Sequence, residues 1–207
     1  TRTPTPRRVL LVFVDTLRAD HLGAYGYSRE TTPQIDAWAE GALVFEQARS
    51  PAPWTMPSGR AAVSGREPER WRAGPHLGEV LARHGYTTVA VVGNKWLSEA
   101  FDFRDGWGVF DYEPRSIPRR VERAKHWLDK HPDQDVAMLL HVMEPHMPYR
   151  EPKRLQSKWA GDAPATLADS VDAKTVRAAY TATTTDAERA SLRQYVIDRY
   201  DQNIRYV

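Results

Sequence analysis

Arg8-Val9-Leu10-Leu11-Val12-Phe13-Val14-Asp15 carries the first decision about the fold. The run from Val9 to Val14 is short, continuously apolar and rich in β-branched residues, and it stops at a carboxylate. Arg8 to Val14 therefore reads as a buried strand that delivers Asp15 to its carboxyl end. Two later runs share the character: Thr87 to Val92, ending at Gly93-Asn94, and Val136 to Val142, followed by the loop Met143-Glu144-Pro145-His146-Met147-Pro148-Tyr149. Helical patterns separate them. One opens at Thr32-Pro33-Gln34 and runs to about Glu40, one ends near Ser64 before Gly65, one spans Pro75 to His84 before Gly85, and one spans Pro118 to Lys130. Ala42 to Ala48 reads as a further extended segment. Strands alternating with helices predict an α/β fold: a mostly parallel sheet with helices on both faces.

The remaining chain is less regular. The segment 150–186 is polar and weakly periodic, with the look of an insertion or mobile loop holding short helical pieces at most. From Asp186 the pattern is helical, with Leu192, Tyr195, Val196, Ile204 and Val207 recurring on one face. An amphipathic helix that reaches the last residue without a Gly, Asn or Pro exit suggests truncation. Thr1 in place of an initiator Met adds to that expectation: 1–207 reads as the N-terminal portion of one α/β domain.

Composition excludes several classes. The 207 residues include no Cys, so disulfides, thiol catalysis and thiolate metal sites are absent. No run of apolar residues is long enough to cross a membrane as a helix. The net charge is only +2, and basic residues are mixed with acidic ones, without the basic stripe and aromatic platform of a nucleic-acid module. His76, His84, His126 and His131 read as helix-surface residues.

The chemistry concentrates in Ser50-Pro51-Ala52-Pro53-Trp54-Thr55-Met56-Pro57-Ser58-Gly59-Arg60-Ala61 and the following Ala62-Val63-Ser64-Gly65. A turn-rich stretch brings the Thr55 hydroxyl to the start of a helix. Pro57 suits the first turn, where its missing N–H costs nothing, and Ser58 is expected to bond the free N–H groups there. Those N–H groups and the helix dipole suit phosphate or sulfate, and they favour a hydroxyl that is losing its proton. Asp15, Asn94, Lys95 and His146 all follow strands, where open α/β sheets place their ligand sites. A carboxylate, a hydroxyl and a histidine at one edge suggest metal-assisted transfer, with Asp15 and Thr55 as metal ligands. Asp20-His21 reads as structural, because neighbours on a loop point apart. His141 lies within a strand and reads as a core residue or a support for other groups.

Four motifs in order carry a family resemblance. Val14-Asp15-Thr16-Leu17-Arg18-Ala19-Asp20-His21-Leu22-Gly23-Ala24-Tyr25-Gly26-Tyr27, with Thr31-Thr32-Pro33-Gln34-Ile35-Asp36, resembles the opening of the sulfatase family in the alkaline phosphatase superfamily. Pro53 to Gly65 resembles its nucleophile segment, and His141 to Tyr149 its later active-site loop. Tyr200 to Val207 resembles the helix before its second metal-ligand pair. The resemblance implies an alkaline-phosphatase-like three-layer sandwich, Asp15 and Thr55 on a divalent metal, Thr55 as nucleophile and His146 on the anion or leaving group. Asn94, Lys95 and Arg60 are its candidate substrate contacts.

The family pattern has Cys or Ser where this chain has Thr55, and Arg where it has Gly59. Oxidation of a Thr gives a ketone, so formylglycine is not expected here. A Thr at this place resembles lipoteichoic acid synthases and lipid A phosphoethanolamine transferases, which implies manganese, zinc or magnesium. Calcium, the usual sulfatase ion, stays open. The implied substrate is a small-molecule, lipid or glycan phosphate or sulfate ester, and the implied location is periplasmic or extracellular. Two alternatives stand beside the enzyme: a non-catalytic sulfatase-like protein, and an inert fragment lacking the second half of the metal site.

Overall fold

The computed structural model describes residues 5–167 and 170–207. Thr1, and residues 168 and 169 of the polar segment, lie outside them. In chain order the first elements are β1 Arg8–Val14, α1 Pro33–Ala39, α2 Thr55–Ser64, α3 Leu77–Arg83 and β2 Thr87–Val92. They are followed by β3 Val109–Tyr112, α4 Ile117–Lys130, β4 Val136–Val142, α5 Ala173–Ala182 and α6 Asp186–Tyr206. The chain divides into two compact units. One joins the residues up to Asp15 with Ala48–Met143, and the other joins Thr16–Gln47 with Glu144–Val207.

The first unit is built on a four-stranded sheet in the order β1-β4-β2-β3, every pair parallel. Central β4 is buried along its whole length, as its unbroken apolar run requires. On one face Leu139, Ala90 and Val92 pack with Val63 of α2 and with Leu97, Phe103 and Trp107. The alternate residues Val89, Val91, Met138 and Leu140 are buried as well, and α4 packs on β2 and β4. The α/β sandwich expected from the alternating pattern is therefore present, with helical cover on both faces.

Several local expectations are corrected. β1 is an edge strand with a neighbour on one side only, so Val9, Leu10 and Val12 are exposed where full burial was expected. Among the described residues Ala42 to Ala48 pairs with no strand, and it turns only at Glu46 and Gln47, leaving Leu43 and Phe45 exposed. Four-residue β3 went unread because it is too short for periodicity to register. His76 is buried rather than superficial, stacked on Trp71 with ring centroids 4.9 Å apart.

The second unit has a small apolar core of Leu167, Val171, Ala179 and Leu192, with Tyr149, Val176 and Val196 against it. Its long helix, α6, starts at a capping box. Thr185 accepts the Glu188 N–H, and the Glu188 carboxylate accepts the Thr185 N–H. The C-terminal third of α6 buries Asp201, Gln202 and Asn203, three polar residues in succession. Each is satisfied, as burial demands. Asp201 accepts from His21 Nδ1 (2.6 Å), the Tyr27 hydroxyl (2.6 Å) and Arg29 (2.7 Å). Gln202 accepts the N–H groups of Trp159 and Ala160, and Asn203 accepts that of Arg150. Glu151, buried nearby, receives Gln202, Asn203 and Arg199.

Gly59 has a packing reason. A Cβ there would lie 2.7 Å from Leu97 Cδ2 and 3.3 Å from the Phe103 ring, both in the core. Alanine gains about 1 kcal/mol of helix propensity but overpacks the site at a cost of about 1–3 kcal/mol. Gly59→Ala is therefore expected to lower the urea midpoint at unchanged m-value, and Gly59→Arg to prevent native folding. A midpoint that rises in Gly59→Ala contradicts this packing.

Candidate active site

The parallel sheet brings three chain segments to one end. The Asp15 N–H donates to Val142 O at 2.8 Å, which continues the β1–β4 ladder by one step and pins Asp15 beside the end of β4. Gly93 and Asn94 leave the end of β2. Thr55 begins α2 behind Trp54, whose extended backbone (φ −149°, ψ 162°) turns the chain into the helix. Asp15, Thr55 and Asn94 are all buried.

These three side chains form a closed triangle. The Thr55 hydroxyl donates to Asp15 Oδ2 at 3.1 Å. Asn94 Nδ2 donates to Asp15 Oδ2 at 2.9 Å and to Thr55 Oγ1 at 3.3 Å. Asn94 is itself held by its Oδ1, which accepts the Trp96 N–H at 3.1 Å. Ser58 does not cap the helix as expected. Its hydroxyl donates backwards to Trp54 O (2.7 Å) and Thr55 O (3.2 Å), so the first-turn N–H groups keep no side-chain partner.

His141 joins from β4 and is fully buried. Its Nδ1 accepts the Gly93 N–H at 3.4 Å. The proton of the neutral ring is thereby assigned to Nε2, which faces Asp15 Oδ2 at 3.5 Å and makes no hydrogen bond. Its position was legible from strand alternation, since 137, 139 and 141 share one side of β4. Its aim at Asp15 was not.

The donor chemistry suits part of a divalent-cation site. Asp15 and Thr55 offer buried oxygens side by side, and the unbonded Nε2 next to Asp15 leaves the local polar groups incompletely satisfied. Among the described residues no three His, Asp or Glu side chains converge on one point. Asp15 and Thr55 would by themselves supply only a portion of a coordination sphere.

The other candidates are placed differently. Lys95 lies with its Nζ 4.8 Å from the Trp96 ring centroid. Arg60 stacks on Trp71 at 4.4 Å and donates to Phe101 O at 3.4 Å, and burial pulls its guanidinium below the ordinary arginine range. His146 belongs to the second unit, where its Nδ1 donates to the Met147 carbonyl. It lines a cavity of about 430 Å³ with Thr16, Met147, Tyr149, Val196 and Tyr200. Thr16 there holds a φ of 57°, a strained value for a β-branched residue, and the Tyr200 hydroxyl holds that turn by donating to Thr16 O (2.7 Å) while accepting the Arg18 N–H (2.9 Å).

The profile of the family described as Sulfatase matches residues 7–207. The chain belongs to the sulfatase family. Bovine (Bos taurus) arylsulfatase A is 34% identical over 108 residues, which is 44% of this chain and 21% of that protein. The membrane-bound lipooligosaccharide phosphoethanolamine transferase EptA of Neisseria meningitidis aligns with 98% of this chain and 37% of its own, at a TM-score of 0.71 and 20% identity. The C-terminal periplasmic domain of Escherichia coli EptC, in complex with zinc, aligns with 97% of this chain and 59% of its own, at a TM-score of 0.65 and 17% identity. At those identities the structural likeness shows a shared fold. The chain spans about a fifth of the arylsulfatase it matches and about three-fifths of the EptC domain. No helix among the described residues is long and apolar enough to cross a membrane.

The buried network on α6 of this sulfatase-family chain has a measurable signature. Burial first, and then the bond to Asp201, push the Tyr27 phenol up to about 12. A folded-state value above the unfolded one, about 10, means that the contribution is whole below pH 10. It is lost as pH rises through 12. Alkaline unfolding followed at the tyrosinate absorbance should therefore steepen between pH 10 and 12, and Tyr27→Phe should flatten it. An unaltered profile in that variant assigns the transition elsewhere.

Proposed function

We propose that this chain supplies the nucleophile side of a metal-dependent hydrolase or transferase of phosphate or sulfate esters. The observation that carries the reading is the buried contact of Thr55 Oγ1 with Asp15 Oδ2 at 3.1 Å, at the first turn of α2. A hydroxyl bonded to a carboxylate, beside N–H groups that no side chain caps, is arranged to lose a proton and to meet an anion.

Asp15 and Thr55 are the residues that would hold the divalent cation. When bound, it lowers the proton affinity of the hydroxyl and offsets the charge of the ester. The chain's own groups do the rest. Thr55 Oγ1 attacks phosphorus or sulfur and forms a Thr ester as the bond to the alcohol oxygen breaks. The proton leaves Thr55 towards Asp15 and finishes on the departing alcohol. Asn94 fixes the orientation of both oxygens, and His141 faces Asp15 with Nε2, so the carboxylate is held aligned. Water or a second alcohol then takes the transferred group from Thr55. The substrate class is a small-molecule, lipid or glycan ester, and the periplasmic setting of the EptC relative favours a periplasmic or extracellular location.

Intact-mass spectrometry with 4-nitrophenyl phosphate and 4-nitrophenyl sulfate, with and without divalent cation, tests the reading. A cation-dependent gain of one phosphoryl or sulfuryl group on Thr55 is expected. Thr55→Ala should lose about 10³-fold or more in kcat/KM. Turnover that survives in Thr55→Ala, with no adduct on the parent protein, ends this reading.

A further inference from the structure

Thr16 is the residue after Asp15, and it stands at a backbone value that a β-branched residue rarely takes. Its φ of 57° lies in the left-handed region, where its Cβ crowds the backbone. Glycine fills such turns at Gly26, Gly65, Gly85 and Gly106. The Thr16 side chain is exposed, so its own packing does not offset the strain. A strained backbone persists only where its surroundings hold it, and such residues gather where a function needs a fixed direction. One oxygen does the holding. The Tyr200 hydroxyl donates to Thr16 O (2.7 Å) and accepts the Arg18 N–H (2.9 Å), which closes the turn from both ends. The Tyr200 ring is itself buried and set edge-on to His21, with centroids 5.0 Å apart. Burial pushes its phenol up to about 12, so the donor proton is in place throughout the neutral range.

The turn matters because of the residue it follows. Asp15 is fixed on its N-terminal side, where its N–H donates to Val142 O at 2.8 Å. On its C-terminal side it is joined by one peptide bond to Thr16. With both sides fixed, the side chain leaves the backbone in one direction, and Oδ2 meets Asn94 Nδ2 at 2.9 Å and the Thr55 hydroxyl at 3.1 Å. Relaxation of Thr16 to negative φ would turn that peptide bond and loosen the carboxylate. We infer that Tyr200 is a positioning residue for Asp15: its hydroxyl keeps Thr16 left-handed, and the turn so held aims the carboxylate at Thr55. A glycine would take the same φ unaided. The threonine makes the aim depend on Tyr200. Its effect on rate rests on the reading of Asp15 and Thr55 as the reacting pair, whereas the aim of the carboxylate does not.

The Asn94 side-chain amide reports that aim, because its N–H lies on Asp15 Oδ2. Nuclear magnetic resonance of isotopically labelled protein would follow this amide in the parent, in Tyr200→Phe, and in Tyr200→Phe combined with Thr16→Gly. Tyr200→Phe is expected to move the Asn94 signal and to speed its exchange with water, at unchanged circular dichroism. Adding Thr16→Gly should bring the signal about half of the way back, because glycine reaches this φ without strain. The double variant carries the same comparison with the parent if Tyr200→Phe alone does not fold. Tyr27→Phe, which removes a bond to Asp201 on the same helix and leaves the turn untouched, should not move the signal. With Mn²⁺ and 4-nitrophenyl phosphate, Tyr200→Phe should lower kcat about tenfold with KM within about twofold, and Thr16→Gly should recover part of the loss. An Asn94 signal that ignores Tyr200→Phe, that moves as far in Tyr27→Phe, or that Thr16→Gly does not bring back overturns the assignment, as does an unchanged kcat where the signal has moved. A signal that follows these variants in a protein that neither binds Mn²⁺ nor turns over keeps the role of Tyr200 and removes the proposed reaction instead.

Discussion

One backbone hydrogen bond past the end of β1 sets the chemistry of the first unit. The Asp15 N–H on Val142 O continues the parallel ladder beyond the apolar run, so a carboxylate is held where a loop residue would otherwise be free to turn to solvent. Parallel pairing makes the rest follow. β1, β4 and β2 end on the same side, and Asp15, His141 and Asn94 come within reach of one another without any long connection. The cost of burying Asp15 is offset by donors: Asn94 Nδ2 and the Thr55 hydroxyl on the same oxygen, with a histidine N–H facing it. The arrangement is local and stiff, because each donor comes from a different packed element.

The second unit meets the same physical problem with a different answer. Buried Asp201 needs partners for its carboxylate oxygens, and it has three. His21, Tyr27 and Arg29 all come from the loop that follows β1, so a single helical residue fixes the course of that loop. Glu151 does the same for the stretch around Arg150 to Ala160 through Gln202, Asn203 and Arg199. The polar run on α6 is therefore a set of fasteners for irregular chain.

Much of the fold was legible. β1, β2 and β4 were read at their observed bounds, because an apolar run ended by Asp, Gly or a polar loop has few other meanings at that length. α2, α4 and α6 were equally legible from periodicity and their Gly, Pro and Thr boundaries. The failures share a cause. Ala42 to Ala48 has strand-like residues and no partner, β3 has a partner and too few residues, and Ser58 had a free acceptor role but found carbonyls nearer. Each depends on what lies across space, which local composition does not encode.

The chain by itself determined which residues could do chemistry and at which ends of which elements they stand, because strand termini and helix starts are written in short-range pattern. Only the tertiary structure decided which of them meet. The triangle of Asp15, Thr55 and Asn94 spans 79 positions from end to end, and its 3 Å contacts arise from strand order and register. Strand order reflects how two faces of a sheet are covered, a global packing condition that no single segment can express.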